Sequence, residues 1–126
     1  MDWLVHYWAR ISLQLCGWSA PRVYGAEHLP PAHEPVIYVP NHTSYFDILV
    51  LSGFVPRPFK YLSKAEILDI PLIGMGMRLA RHVFLKRNDL QSTVQCADTV
   101  QQRLRDGNAV VLFAEGTRSP DGSLKA

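Results

Sequence analysis

Short β-favouring apolar runs alternate with helix-like segments along most of this chain, and this alternation constrains the fold more than any other feature. Four runs predict buried strands, at residues 36–39, 59–62, 82–85 and 109–113. Helical patterns follow the first three, at residues 44–53, 66–80 and 90–105. A helix between two strands is the usual connection that makes neighbouring strands parallel. We therefore predict an α/β fold with a largely parallel sheet flanked by helices.

Several details of this pattern are specific. Residues 22–24 form a β-favouring triplet, which predicts a further short strand. Pro71 and Gly74 interrupt the 66–80 segment, so we expect a break or kink there. The apolar side chains spaced for one buried stripe of the 90–105 helix are Val94, Ala97, Val100 and Leu104.

The composition fits one globular domain. The chain has 126 residues, of which 48% are hydrophobic, so it can bury a core. Its net charge of +2 is too small to indicate a nucleic-acid partner, but it suits an anionic membrane or a phosphorylated substrate. Cys16 and Cys96 lie far apart and lack metal-ligand spacing. We expect neither a disulfide framework nor a metal site.

The N-terminal segment predicts an amphipathic helix over residues 3–18. His6, Arg10 and Gln14 fall on one face and interrupt any run long enough to span a bilayer. Tryptophan and tyrosine suit the membrane–water interface, so residues 1–20 are interpreted as a membrane-associating helix that precedes a domain over residues 21–126. The alternative is an ordinary helix that packs on its own domain. The apolar stripe contains Trp3, Leu4, Tyr7, Trp8, Ile11, Leu15 and Trp18.

A histidine and an aspartate follow the first predicted strand. With Ser44 as the N-cap of the next helix, Asp47 lies in its first turn and can fold back toward His42. A carboxylate bonded to one imidazole nitrogen leaves the other nitrogen to act as a general base. The sequence contains no Gly-x-Ser-x-Gly nucleophile turn, so the base would activate a substrate hydroxyl. The alternative is a capping-box turn without catalysis, which the Ser44-x-x-Asp47 spacing also fits.

A second polar segment follows the last predicted strand. Gly116 allows a ligand to approach the backbone, Arg118 can grip a phosphate, and Thr117 can add a donor. Glu115 can orient Arg118 or accept a bond from a glycerol hydroxyl. A solvated polar turn is the alternative.

Two more cations follow other predicted strands. Lys64 and Arg87 lie after the second and third runs, and with Arg118 they would make a cationic pocket for one phosphate. Each of them alone also fits a solvated surface charge.

Four motifs, in this order and spacing, resemble the 1-acylglycerol-3-phosphate acyltransferase family, most closely its bacterial and plastid-type members. The resemblance covers residues 20–126. The motifs are Asn41-His42-x-x-x-x-Asp47, Lys64-x-Glu66 with Pro71 and Gly74, Phe84-Leu85-Lys86-Arg87, and Phe113-x-Glu115-Gly116-Thr117-Arg118-Ser119.

The resemblance implies a reaction and its participants. His42, oriented by Asp47, would deprotonate the hydroxyl of lysophosphatidic acid, which would attack the thioester of acyl-CoA or acyl-carrier protein and give phosphatidic acid. Arg118, with Lys64 and Arg87, would hold the acceptor phosphate, and Gly116 and Thr117 would shape that pocket. No metal or bound cofactor is expected. Glycerol-3-phosphate or another lysophospholipid is an alternative acceptor, and a non-catalytic membrane-binding module is an alternative role.

The resemblance also implies a location at a membrane. We expect the protein on the cytoplasmic side of the inner membrane if it is bacterial, and at the plastid envelope or endoplasmic reticulum if it is eukaryotic.

The chain departs from the family pattern at three points. Ala114 stands where proline is usual, and a glycine is usual at or near Arg81. The family's fourth motif, an apolar Val-Pro segment beyond residue 119, is missing, and members run to about twice this length. We therefore expect a fragment that is incomplete at its C-terminus, with an incomplete sheet and little activity alone.

Overall fold

A computed structural model describes residues 2–18 and 21–114. Their contacts divide them into two units. The described part of the first unit comprises residues 2–18, 21–31 and 41–56, and the second comprises residues 32–40 and 57–114. The functional division into 1–20 and 21–126 stays a prediction.

The second unit contains a four-stranded parallel sheet. Its strands are β1 (Ile37–Tyr38), β2 (Phe59–Lys64), β3 (Val83–Leu85) and β4 (Ala109–Leu112). They lie in the order β1-β4-β2-β3, and every pairing is parallel. The α/β prediction is therefore confirmed, and all four predicted strands are present, although β1 is shorter than expected.

The core of the second unit lies on the central strand β4. Ala109, Val110 and Val111 are fully buried, and Val83 of β3 is 1% exposed. A strand of consecutive apolar residues is typical of a parallel sheet that is covered on both faces. Continuous apolar runs, and not an alternation of apolar and polar residues, therefore marked these strands in the sequence.

The connection from β2 to β3 breaks where the sequence predicted. A 3₁₀ helix (Ala65–Asp69) and the helix α3 (Ile73–Leu79) replace one continuous helix. Leu72, the N-cap of α3, has a φ of 64°, which lies outside the right-handed helical region, so the 3₁₀ helix does not continue into α3. A Cβ added at Gly74 would lie 2.7 Å from the Cα of Leu68, so only glycine lets α3 approach the 3₁₀ helix this closely.

The helix α4 (Leu90–Arg105) has the predicted bounds but a different buried face. Val94 is 56% exposed and Ala97 is also exposed, whereas Cys96 is buried. The side chain of Asp89 accepts a bond from Ser92 N–H, and Ser92 Oγ accepts one from Lys86 N–H at 3.0 Å. Of the predicted stripe, Val100 and Leu104 are half-buried as expected, whereas the prediction was wrong for Val94 and Ala97.

The first unit contains α1 (Asp2–Leu15), a 3₁₀ helix (Ala26–His28) and α2 (Phe46–Phe54). Ala9 and Leu13 of α1 are buried at 0% and 2% exposure, and α1 packs along α2. No strand forms at residues 22–24, where Tyr24 is 81% exposed, so that prediction was wrong. A triplet without a pairing partner or burial has nothing to stabilise it as a strand.

The predicted N-terminal helix is confirmed, but it ends earlier than residue 18. Its polar residue Arg10 bonds to α2, whereas most of its large apolar side chains are exposed. In the described parts of the chain, no helix is both long and apolar enough to cross a membrane.

Candidate active site

The histidine and the aspartate of the first motif form a direct pair. Nδ1 of His42 lies 2.8 Å from Oδ2 of Asp47. An ionised carboxylate only accepts hydrogen bonds, so Nδ1 carries the proton and donates it. Nε2 is then the basic nitrogen of the ring. The two side chains are 17% and 24% exposed, so solvent reaches the pair only in part.

The loop before α2 explains why the pair forms. Oδ2 of Asp47 also accepts the backbone N–H groups of Thr43 at 2.8 Å and Ser44 at 2.9 Å. Ser44 Oγ accepts the N–H of Phe46 at 3.2 Å. The structure thus combines the capping turn with the His–Asp pair, which the sequence had offered as alternatives. The helix begins at Phe46 with Tyr45 in the N-cap position, one residue later than predicted from Ser44.

The charge of Asp47 is stabilised by these donors. Partial burial by itself raises the pKa of the carboxyl, but the bonds from Ser44 N–H, His42 and Thr43 N–H outweigh it and hold the pKa below its ordinary value of 3.8. Asp47 is therefore ionised at neutral pH. The bond to this carboxylate holds the His42 ring in the tautomer that carries its proton on Nδ1.

The predicted cations Lys64 and Arg87 belong to the second unit. Lys64 is the last residue of β2 and pairs in register with Leu85, the last residue of β3. Arg87 follows Leu85 by two residues in an exposed turn. Both residues therefore follow the carboxyl ends of neighbouring strands, where parallel sheets place ligands. Both are exposed and suited to bind an anion.

The structure brings the predicted residues together as two groups, one in each unit. His42 and Asp47 form the first, and Lys64 and Arg87 form the second. The remaining candidates lie outside the described residues: Glu115, Gly116, Thr117 and Arg118. Their roles stay predictions. Among the described residues, no group of three or more His, Cys, Asp or Glu side chains is arranged to hold a metal ion.

Sequence reasoning missed two polar contacts. Arg10 donates from Nε to the carbonyl of Gly53 at 2.7 Å, and its guanidinium lies 4.8 Å from the ring centroid of Phe54. His82 accepts the backbone N–H of Tyr61 at Nδ1, at 2.9 Å, so this histidine supports the sheet. The helical spacing put Arg10 opposite the apolar stripe, and that position was the available signal for its inward contact.

A family model described as "Acyltransferase" matches residues 20–126. The chain belongs to the acyltransferase family. The predicted membership of its 1-acylglycerol-3-phosphate branch is confirmed by curated relatives. A 1-acyl-sn-glycerol-3-phosphate acyltransferase of Chlamydomonas reinhardtii is 41% identical over 87% of the chain, and a chloroplastic one of Arabidopsis thaliana is 40% identical over 93%.

Another curated protein and a solved structure are also similar to this acyltransferase chain. A lyso-ornithine lipid O-acyltransferase of Rhizobium meliloti is 36% identical over 97% of the chain. The crystal structure of the 1-acyl-sn-glycerophosphate acyltransferase PlsC of Thermotoga maritima matches with a TM-score of 0.77 at 28% identity, over 98% of the chain and 48% of that protein.

The acyltransferase chain spans only part of these proteins. It covers 34% of the Chlamydomonas relative, 32% of the Arabidopsis relative and 40% of the Rhizobium relative.

Proposed function

We propose that this chain carries the general base of an acyltransferase that converts 1-acyl-sn-glycerol-3-phosphate to phosphatidic acid. The observation that supports this most is the 2.8 Å contact of His42 with Asp47 in a chain of this family. The names of the Chlamydomonas and Arabidopsis relatives support the acceptor.

The proposed step is a direct transfer to the substrate hydroxyl. Nε2 of His42 takes the hydroxyl proton as the oxygen attacks the thioester carbonyl. An ester C–O bond forms, the C–S bond breaks, and the proton passes from Nε2 to the leaving thiolate. Asp47 holds the ring and stabilises the imidazolium between these two transfers. The donor is acyl-CoA or acyl-carrier protein, since either offers the same thioester.

The acceptor phosphate would be held by cations that follow the strands. Lys64 is exposed at the end of β2 and Arg87 is exposed after β3. A role for Arg118, Glu115, Gly116 and Thr117 in holding the same phosphate is what the family resemblance implies. A phosphate requires several donors, and arginine supplies two of them in parallel. A Lys64→Met variant is expected to raise KM for the acceptor and to leave KM for the donor unchanged.

The acceptor is a membrane lipid, and α1 has the surface to meet it. Seven of its large apolar side chains are exposed, including Trp3 at 64%, Trp8 at 58% and Leu15 at 83%. Contiguous aromatic and aliphatic side chains on an outer helix face favour the bilayer interface over water. We therefore place the protein at a membrane surface: the cytoplasmic side of the inner membrane in a bacterium, or the plastid envelope or endoplasmic reticulum in a eukaryote.

A second acceptor has a specific observation in its favour. The Rhizobium relative that aligns with 97% of the chain is named for a lyso-ornithine lipid, which carries no phosphate. Both acceptors present a free hydroxyl to the same base. They differ in whether Lys64 and Arg87 have an anion to bind.

The test is acyl transfer by the protein at its natural length, with vesicles that contain lysophosphatidic acid or lyso-ornithine lipid and with either thioester donor. His42→Ala is expected to abolish transfer while circular dichroism stays unchanged. His33→Ala, at an exposed histidine, is the matched control.

Each arm of this assay has a defined meaning. Transfer only to the lyso-ornithine lipid would replace the proposed acceptor. Unchanged transfer by His42→Ala would remove the proposed base. Vesicle binding without any transfer would favour a non-catalytic membrane-binding module.

A further inference from the structure

The end of α1 is a tightly defined turn. Gly17 has a φ of 77°, and its N–H donates to Gln14 O at 2.9 Å, while Trp18 N–H donates to Leu13 O at 3.0 Å. This pair of bonds around a left-handed glycine is the Schellman arrangement that closes a helix. The backbone of Trp18 is therefore fixed to the last turn of α1.

The indole of Trp18 lies on Phe46, the first residue of α2. Its ring centroid is 4.9 Å from that of Phe46, with the planes 15° apart, which is a stacked pair. Phe46 begins α2 and directly precedes Asp47. The stack therefore fastens α1 to the turn that holds the carboxylate of the His42–Asp47 pair.

The opposite end of α2 is also attached to α1. Arg10 bonds to the carbonyl of Gly53 at 2.7 Å, and a Cβ at Gly53 would lie 3.2 Å from Arg10 Cγ. With this end held, the Trp18–Phe46 stack resists tilting of α2 about Gly53.

A small tilt of α2 about Gly53 would displace Asp47 appreciably, because the two residues lie far apart along the helix. Asp47 lies six residues from Gly53, about 9 Å along the helix axis. A tilt of about 5° would move Asp47 by about 0.8 Å, which is enough to lengthen a 2.8 Å hydrogen bond past its limit.

We propose that Trp18 is a positioning residue for the His42–Asp47 pair, acting through its stack on Phe46. The Trp18–Phe46 stack is observed in the structure, whereas an effect of the stack on turnover rests on the proposed function. Trp18 is 50% exposed, and its ring stacks on Phe46, the residue before Asp47. Its role is to set the angle of α2.

The test compares three variants. Trp18→Ala removes the stack, Trp18→Phe keeps an aromatic ring, and Trp8→Ala removes a 58%-exposed tryptophan from the outer face of the same helix. The first readout is amide hydrogen exchange at Thr43 and Ser44, whose N–H groups donate to Asp47. The second is kcat and KM for the protein at its natural length.

Trp18→Ala is expected to speed exchange at both amides and to lower kcat about tenfold with little change in KM, since an aromatic stack has an effect of that size. Trp18→Phe is expected to restore both. Trp8→Ala is expected to weaken vesicle binding and to leave hydrogen exchange at the two amides unchanged.

Unchanged exchange at Thr43 and Ser44 in Trp18→Ala would overturn the positioning role. Faster exchange that Trp18→Phe fails to reverse would also overturn it, because the effect would then not come from stacking. If the wild-type protein transfers no acyl group but the exchange pattern appears as expected, the proposed function fails and the positioning role of Trp18 is supported.

Discussion

Asp47→Asn tests the role of the Asp47 carboxylate most directly. The substitution removes the negative charge and keeps nearly the same side-chain shape. Oδ2 accepts three donors within 2.9 Å, from His42, Thr43 and Ser44. An amide oxygen can take the same position, so the loop has no steric reason to rearrange. What is lost is the negative charge.

The charge sets the size of the catalytic effect. Two unit charges about 4 Å apart interact by about 4 kcal/mol at the effective dielectric constant typical near a protein surface. The pair is partly exposed, at 17% and 24%, so water screens some of this. Loss of this charge is expected to lower kcat about 10²–10³-fold, which corresponds to about 3–4 kcal/mol in the activation free energy.

The same charge contributes to stability in a pH-dependent way. The pKa of Asp47 is lowered in the folded protein, by hydrogen bonds that outweigh the opposing effect of burial, so its contribution is present above the ordinary value of 3.8 and is lost as pH falls through the folded value. At pH 7 the variant is expected to be less stable by about 1–2 kcal/mol, since three charge-assisted bonds become neutral ones. This difference is expected to shrink below about pH 4.

The assay is acyl transfer at saturating substrate, together with urea unfolding from pH 7 to pH 3. Asp98→Asn, at an exposed carboxylate of α4, is the matched control and is expected to match wild type in both. Wild-type kcat in Asp47→Asn would refute the electrostatic role of the carboxylate. A stability difference that stays constant down to pH 3 would refute the pKa argument.

Three other substitutions test the fold that supports the site, each by urea unfolding. Gly74→Ala is expected to destabilise by about 3 kcal/mol, because its Cβ would meet the backbone of Leu68 and that backbone must shift; an effect under 1 kcal/mol would contradict the close approach. Arg81→Gly is expected to stabilise by about 0.5–1 kcal/mol, since the residue has a φ of 56° at a position where the family pattern has glycine; lower stability would show that the left-handed backbone is not strained. Asp89→Ala is expected to cost about 1 kcal/mol through loss of the bond from Ser92 N–H, and Asp89→Asn about none, so equal losses would point away from capping.

Local sequence patterns were sufficient where local physics decides the outcome. The bounds of α4 agree with the helical pattern predicted over residues 90–105, and the strands followed from apolar runs. The His42–Asp47 contact was also predictable, because only four residues separate the two and Asp47 lies in the first turn of α2. Its catalytic role stays a prediction.

Patterns failed where packing between elements decides the outcome. In α4 the buried side chain is Cys96, whereas Val94 and Ala97 of the predicted stripe are exposed, and the periodicity of apolar residues did not distinguish these positions. The triplet at residues 22–24 has strand propensity, but a strand also needs a partner, which only the tertiary structure supplies or withholds.

The sequence by itself determined the succession of strands and helices along the chain, the His–Asp spacing and the amphipathic character of α1. Each of these depends on residues that lie close together in the chain. Only the tertiary structure decided which face of α1 is outward. Arg10 and Ala9 face α2, and the tryptophans face away, since the close approach at Gly53 admits only a small or slender side chain. The stacking of Trp18 on Phe46 is a contact across 28 residues of sequence, and it follows from how two helices meet and not from either helix alone.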